Sequence, residues 1–322
     1  MRNAIRWLSF PHSTILIMPS FKAVQGLWCA TLTPLDRYGR VDHPRMVAHV
    51  QHLFTQGVAG VAPFGTTGEG QSFAVDERRD GVEALLQAGV PAARIVAATG
   101  CTALPETVAL TRHAVEAGCP AVLVLPPFFW KEPSDEGLFD WYAQLIERTA
   151  DPRLKILLYH LPQVSAVPLS VNLIERLATT FPDTVVGIKD SEANWAHTAA
   201  ILERCPQLAV MVGHEPHLPR LLRAGGVGTI CGVSNLRADL VADLLLPEVT
   251  PEAEARIAAF IRVAFSQPLM AGFKSMLADQ LDDDGWRAVR PPLVALDEAQ
   301  RQALRAALKD AQLHAKSAAV AR

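Results

Sequence analysis

One amine is the natural place to look for chemistry. Lys189 closes the apolar run Val185–Ile188 in a chain whose positive charge comes mostly from arginine. A lysine among apolar neighbours is partly withdrawn from water, which disfavours its ammonium form and leaves a neutral amine able to attack a ketone. The plainer alternative is a lysine that carries its head out to solvent. Tyr159 closes a second run, Lys155–Leu158. Its phenol could pass a proton to and from a carbinolamine oxygen as an imine forms, or could be a core tyrosine with a satisfied hydroxyl. Gly65-Thr-Thr-Gly-Glu69 offers two hydroxyls and the backbone N–H groups of a glycine-flanked turn, a good receptor for a carboxylate. It lacks the spacing and the lysine of a phosphate-cradling loop, and it would also serve as an ordinary turn.

Metal chemistry is the competing possibility. His214-Glu-Pro-His217 puts two imidazoles in one loop, and His49 and His52 lie three apart on a helical stretch. A metal site needs about three ligands converging from separate elements, and neither pair supplies them. His49 and His52 read better as a solvated helix face. No metal and no cofactor is expected.

Eight short apolar runs must position these groups: Gly26–Leu32, Gly57–Pro63, Arg94–Gly100, Ala121–Leu125, Lys155–Tyr159, Val185–Lys189, Ala209–Val212 and Gly228–Cys231. Each is almost continuously apolar, as parallel strands buried on both faces are. Amphipathic segments alternate with them. Glu106–Ala117, for example, places Leu110, Ala114 and Ala117 on one face, with Pro105 ahead and Gly118 behind as natural start and stop. Eight such units favour an α/β fold closed as a (β/α)8 TIM barrel. Catalytic groups of such a barrel lie at the C-terminal strand ends, where Tyr159 on the fifth strand and Lys189 on the sixth would be neighbours. The expected organisation is an N-terminal extension over residues 1–22, a barrel over 23–249 and a helical appendage over 250–322. Helices are expected at Pro251–Phe265, Ala271–Leu281 and Leu296–Leu308, with breaks at Asp282–Gly285 and Pro291-Pro292.

Bulk properties exclude several roles. A net charge of −3 with interspersed signs leaves no basic stripe for nucleic acid. The five cysteines are scattered, with no Cys-x-x-Cys pair, which suits reduced thiols and a cytoplasmic setting. No run approaches the roughly 20 apolar residues needed to cross a bilayer. The opening Met1–Ser20 carries Arg2, Arg6 and a weak apolar patch interrupted upstream by Pro11, unlike a secretion signal. It reads instead as an extra tail ahead of an internal start at Met18.

In combination, Gly65–Glu69, Tyr159-His-Leu-Pro162, Val186-Gly-Ile-Lys-Asp190, Gly213 and Gly225–Ile230 resemble the dihydrodipicolinate synthase / N-acetylneuraminate lyase family, over most of the chain from about Gly26 into the C-terminal helices. The resemblance implies that Lys189 forms an imine with pyruvate or another 2-oxo acid and that Tyr159 shuttles protons. It also implies that Thr66 and Thr67 belong to the ketoacid pocket, with Gly213 and the backbone of Ile230 beside them. It implies a homo-oligomer, a tetramer made of two tight dimers.

Two departures bear on the substrate. Val164 stands where a true synthase of this family carries an arginine for its aldehyde's carboxylate, and valine cannot make that bidentate pair. Phe128-Phe129, followed by Trp130, replaces a tyrosine pair that relays a proton across the dimer. Ser165 resembles the serine or threonine of the sialic-acid-lyase side and is a candidate substrate ligand. The expected function is a Schiff-base-dependent lyase, aldolase or dehydratase that is not the lysine-biosynthetic synthase. The alternatives are a ketoacid-binding barrel without turnover and a metal-dependent aldolase, which a chelator would silence.

Overall fold

The structure, a computed structural model, describes residues 21–311 and Leu313. Residues 1–20, nearly all of the expected N-terminal extension, lie outside the described residues, as does most of the chain beyond Ala311. Eight strands form one sheet: β1 (Gly26–Cys29), β2 (Gly60–Val61), β3 (Val96–Ala98), β4 (Ala121–Val124), β5 (Ile156–His160), β6 (Val185–Asp190), β7 (Ala209–Val212) and β8 (Gly228–Cys231). Their order is β2-β1-β8-β7-β6-β5-β4-β3, and the ladders are parallel. A parallel bridge from Val61 to Ile95 brings β2 against β3 and all but closes the ring. The fold is a TIM barrel with helices around it, as the eight apolar runs imply. Most runs lose a residue or more at the ends. The second keeps only Gly60–Val61, because Gly57 has φ +83° and Pro63 has no N–H to offer a ladder.

Strand period two divides the apolar side chains into two layers. Trp28, Val96, Leu123, Leu157, Met211 and Ile230 fill the barrel interior. Val122, Val124, Ile156, Leu158, Ile188 and Val210 face outward to the helices. Burying each such aliphatic chain contributes roughly 1.5–3 kcal/mol, so the register that keeps both layers apolar is strongly favoured.

One irregularity matters for the site. Between β5 and β6 the register shifts: Ile156 pairs with Val185, but Leu157 pairs with Gly187. Without that extra residue Tyr159 would oppose Ile188. With it, Tyr159 opposes Lys189. A bulge of this kind re-aims a side chain at the cost of local strand regularity. Gly187 makes it possible, since a Cβ there would lie 2.5 Å from the Ala209 carbonyl and 2.8 Å from Leu157 Cδ2.

The surrounding helices start and stop largely where the sequence indicates. Leu104–Glu116 has Pro105 in its first turn, and Gly118 follows with φ +81°. Helices Pro251–Ala264, Leu269–Leu281 and Glu298–Asp310 form the C-terminal segment. They also reach the barrel mouth. Lys274 of Leu269–Leu281 is wholly buried and ion-paired with Glu69, the last residue of the Gly65–Glu69 loop.

His49 corrects the expected solvated face. His52 is exposed, but His49 is buried beside Met46, Val50 and Leu53 in helix His43–Thr55. Its Nε2 lies 2.9 Å from Asn235 Oδ1 and its ring meets Trp286 edge-on at 4.9 Å. Residues three apart differ by 60° around a helix, enough to put one inside the apolar stripe and the other outside. Burial, only partly offset by the Asn235 hydrogen bond, pushes the His49 pKa down to about 4.

Candidate active site

Lys189 and Tyr159 stand opposite each other on β6 and β5, both directed into the barrel and both almost wholly buried. Lys189 Nζ lies 4.2 Å from the centre of the Tyr159 ring. The phenol oxygen is 3.3 Å from Thr66 Oγ1. One amine, one phenol and one threonine hydroxyl therefore meet at the top of an apolar interior. Phe128, in the loop after β4, packs at the edge of that interior.

The Gly65–Glu69 loop reaches this point from β2. Gly70 N donates to the Gly65 carbonyl at 3.0 Å and Glu69 N to the Thr66 carbonyl at 3.1 Å, folding the loop on itself. Glu69 occupies the left-handed region at φ 56° and anchors the loop through Lys274 and the Arg290 backbone N–H at 2.9 Å. Thr67 lies against Gly232, just past β8: a Cβ on Gly232 would fall 3.0 Å from Thr67 Oγ1. Ile230, paired with Trp28 across the β8–β1 ladder, is fully buried in the inner layer.

Gly213, just past β7, donates its N–H to the Asp190 carbonyl at 2.8 Å. A Cβ there would sit 2.0 Å from Ser191 Oγ and 3.1 Å from Lys189 Cε. Gly213 thus leaves the room that the lysine stem occupies. Ser191 was not foreseen. Its hydroxyl is buried without a protein partner at the same point, in the manner of a group kept for a guest.

Glu215 was also missed. It is buried, and burial raises its pKa against the opposing pull of its own and Val233's amides, the Cys231 thiol and the Lys189 charge. A buried acid near an amine is a usable proton donor. The sequence signal was present in His214-Glu-Pro-His217, read only for its two imidazoles as metal ligands.

Ser165 is not brought to this group. It is buried in the turn after β5. Its Oγ lies 3.1 Å from the Leu161 carbonyl and 3.2 Å from the Val167 carbonyl, and it accepts the Val167 N–H at 3.1 Å. Its one hydrogen and one of its two lone pairs are thus taken up by its own turn. Val164, by contrast, is exposed, and so are Phe129 and Trp130, which pack edge to face at 5.1 Å.

The metal reading finds little support. His214 and His217 lie edge to face at 4.7 Å, with Trp195 against His217 at 5.7 Å and the Arg220 guanidinium 4.1 Å over Trp195. Among the described residues only His160, Glu192 and His197 come close enough to share an ion. The two rings are stacked, with centroids 4.1 Å apart and planes at 20°. Ring nitrogens coordinate in the ring plane, so near-parallel stacked rings aim their lone pairs side by side rather than at one ion about 2.1 Å away. Their nitrogens are also committed. His160 Nδ1 accepts the Leu169 N–H at 3.0 Å, which leaves the proton on Nε2, 3.2 Å from Glu192 Oε2. His197 Nδ1 lies 3.1 Å from Asp190 Oδ2 and Nε2 lies 3.0 Å from the Leu169 carbonyl. Both of those partners only accept.

Comparison with known proteins converges on the same architecture. Residues 23–311 match the sequence profile of the Dihydrodipicolinate synthetase family. The chain belongs to that family. An uncharacterized DapA-like lyase of Chloroflexus aurantiacus is 35% identical over 213 residues, 66% of this chain and 70% of that one. The 4-hydroxy-tetrahydrodipicolinate synthase of Rhizobium meliloti is 30% identical, covering 88% of this chain and 97% of its own. The crystal structure of dihydrodipicolinate synthase from Agrobacterium tumefaciens superposes with a TM-score of 0.83 at 32% identity, over 89% of this chain and 99% of that one. N-acetylneuraminate lyase of Proteus mirabilis shares the fold, with a TM-score of 0.80 at 23% identity over 90% and 99% of the two chains. The chain is an enzyme, a pyruvate-type lyase of the class I aldolase type. No described helix is long and apolar enough to cross a membrane.

Proposed function

We propose that Lys189 forms an imine with the keto carbon of pyruvate or a related 2-oxo acid, and that the imine drives cleavage, condensation or dehydration at the neighbouring carbon. The observation that carries this reading is the facing pair on β5 and β6, with the Lys189 amine 4.2 Å above the Tyr159 ring and the phenol 3.3 Å from Thr66 Oγ1. The amine attacks the ketone, and Tyr159 delivers the proton that lets the carbinolamine lose water. Once formed, the protonated imine accepts the electron pair left when a C–C bond breaks or a proton leaves C3. Thr66, Thr67 and the amides of their loop hold the ketoacid carboxylate. Gly213 and Ile230 bound the pocket, and Ser191 and Glu215 face the rest of the substrate. No cofactor is needed.

The substrate differs from that of the lysine-biosynthetic synthase. Val164 brings no cation, and Phe128, Phe129 and Trp130 surround the loop after β4 with aromatic surface. That composition suits an apolar or aromatic partner of the ketoacid better than a carboxylated aldehyde. The exposed Phe129 and Trp130 also suit a contact between copies, in keeping with a homo-oligomer, a tetramer of two dimers. Free thiols, mostly buried, fit the cytoplasm.

Incubation with pyruvate and borohydride tests the mechanism. Peptide mass spectrometry should find the reduced adduct on Lys189, and an unmodified Lys189 would refute the imine. A panel of 2-oxo acids with aromatic and carboxylated aldehydes tests the substrate reading. Preference for the carboxylated aldehyde would overturn it.

A further inference from the structure

Asp190 follows Lys189 in the chain and faces the opposite way, into a polar cluster on the outer side of β6. Its Oδ2 accepts from Thr198 Oγ1 at 2.8 Å and lies 3.1 Å from His197 Nδ1, while its Oδ1 accepts the Glu192 N–H at 3.1 Å. His197 reaches past Asp190 to the Leu169 carbonyl, and Leu169 returns its N–H to His160 at the end of β5. The ends of β5 and β6, the strands that carry Tyr159 and Lys189, are thus tied through one stacked histidine pair to Leu169.

The partners fix the charge of the pair. His197 faces two acceptors, a carboxylate and a carbonyl, and satisfies both only with a proton on each nitrogen. His160 accepts at Nδ1 and donates at Nε2, which requires the neutral ring. An imidazolium stacked on a neutral imidazole is the one assignment that leaves no nitrogen unpaired.

We propose that His197 is a positioning residue for Lys189: doubly protonated, it fastens the Asp190 end of β6 to Leu169, and on losing a proton it releases that end and the amine meets a carbonyl less often. A neutral ring can donate to only one of its two acceptors: either the Leu169 carbonyl loses its donor, or an Nδ1 lone pair is set against the Asp190 carboxylate, which then keeps only Thr198 and the Glu192 N–H. The titratable groups facing His197 are Asp190 and Glu192 from β6 and the turn after it, and the neutral His160 from β5. His217, beyond β7, feels the Asp190 charge. The charges of helix Val171–Thr180 are spent elsewhere, Glu175 on Arg204 and Arg176 on Glu136. Burial opposes the His197 charge, but Asp190, the Leu169 carbonyl and Glu192 outweigh it and raise its pKa above 6.5. Burial first, then His197, holds His160 down. The clasp is therefore complete below the raised pKa of His197 and is lost as pH rises through it.

The proposal rests on the imine reading only in its choice of carbonyl, so a carbonyl indifferent to the catalytic mechanism tests it. Reductive methylation with formaldehyde and cyanoborohydride can be followed at Lys189 by peptide mass spectrometry, relative to exposed Lys22, from about pH 5.5 to about pH 9. In the wild type the Lys189-to-Lys22 rate ratio should fall severalfold toward alkaline pH. In His197→Gln it should stay low and flat. In Asp190→Asn, which removes the anion holding the His197 proton, the fall should move to lower pH. Parallel profiles for wild type and His197→Gln would overturn the proposal. If His197→Gln does not fold, an unmoved profile in Asp190→Asn does the same. A second arm traps pyruvate with borohydride. If pyruvate is never trapped but the formaldehyde ratio falls as described, the imine reading fails and the role of His197 stands. If pyruvate is trapped with no difference between wild type and His197→Gln, the positioning role fails and the imine reading stands.

Discussion

The inner and outer faces of the same two strand ends use polar side chains in opposite ways. On the inner face, Lys189 and Tyr159 sit among apolar residues, with one hydroxyl contact to Thr66 and a nearby serine hydroxyl unpartnered. On the outer face, one residue further along each strand, Asp190 and His160 belong to a network in which both imidazoles have both nitrogens engaged. A saturated network resists change, because each deletion strands a buried partner. A sparse one leaves donors and acceptors for a guest. Period-two alternation sets these two environments a single residue apart.

The contrast is most sharply broken at Lys189. Replacement by alanine should abolish adduct formation and turnover while the melting temperature changes little, measured by borohydride trapping and thermal unfolding. Tyr159→Phe should leave the fold intact and slow turnover by about 10²–10⁴-fold, the usual contribution of a positioned proton donor. A steady-state assay that found less than a tenfold loss would remove Tyr159 from the mechanism.

On the outer face the order of effects should reverse. Asp190→Ala takes away the anion that holds the His197 proton and leaves the Thr198 hydroxyl and the Glu192 N–H without their acceptor, and should cost about 3 kcal/mol of stability by denaturant unfolding. His49 offers a smaller test away from both faces. Its depressed pKa means that the unfolded chain binds a proton the folded chain refuses, so stability present above pH 6.5 should be lost as pH falls toward about 4. The loss should reach at most about 3 kcal/mol, and it should shrink in His49→Gln when melts at the two ends of that window are compared. The smallest effect is expected at Ser165. Its alanine variant should lose about 1 kcal/mol of stability for its turn hydrogen bonds and leave the KM for the ketoacid unchanged. A raised KM would return Ser165 to the pocket.

Much of this was readable in the chain. Eight continuously apolar runs separated by amphipathic segments have few ways to bury both strand faces, so the barrel follows from composition and period. That Lys189, Tyr159 and the Gly65–Glu69 loop would lie at one end of the barrel was legible because they follow or close the apolar runs that become its strands. The burial of His49 and the turn bonds of Ser165 were not readable because a side chain's partner lies in another element or in its own turn, and spacing does not reveal that. Ser191, Glu215 and the stacked histidines were missed for the same reason.

The sequence by itself determined which residues alternate, and therefore that a closed ring of parallel strands would hold an amine and a phenol near its mouth. Only the tertiary structure decided that they face each other. That pairing depends on one extra residue between β5 and β6, accommodated by Gly187 against the Ala209 carbonyl. A bulge is a compromise between neighbouring strands. It arises from the packing of residues far apart in the chain, which no local pattern records.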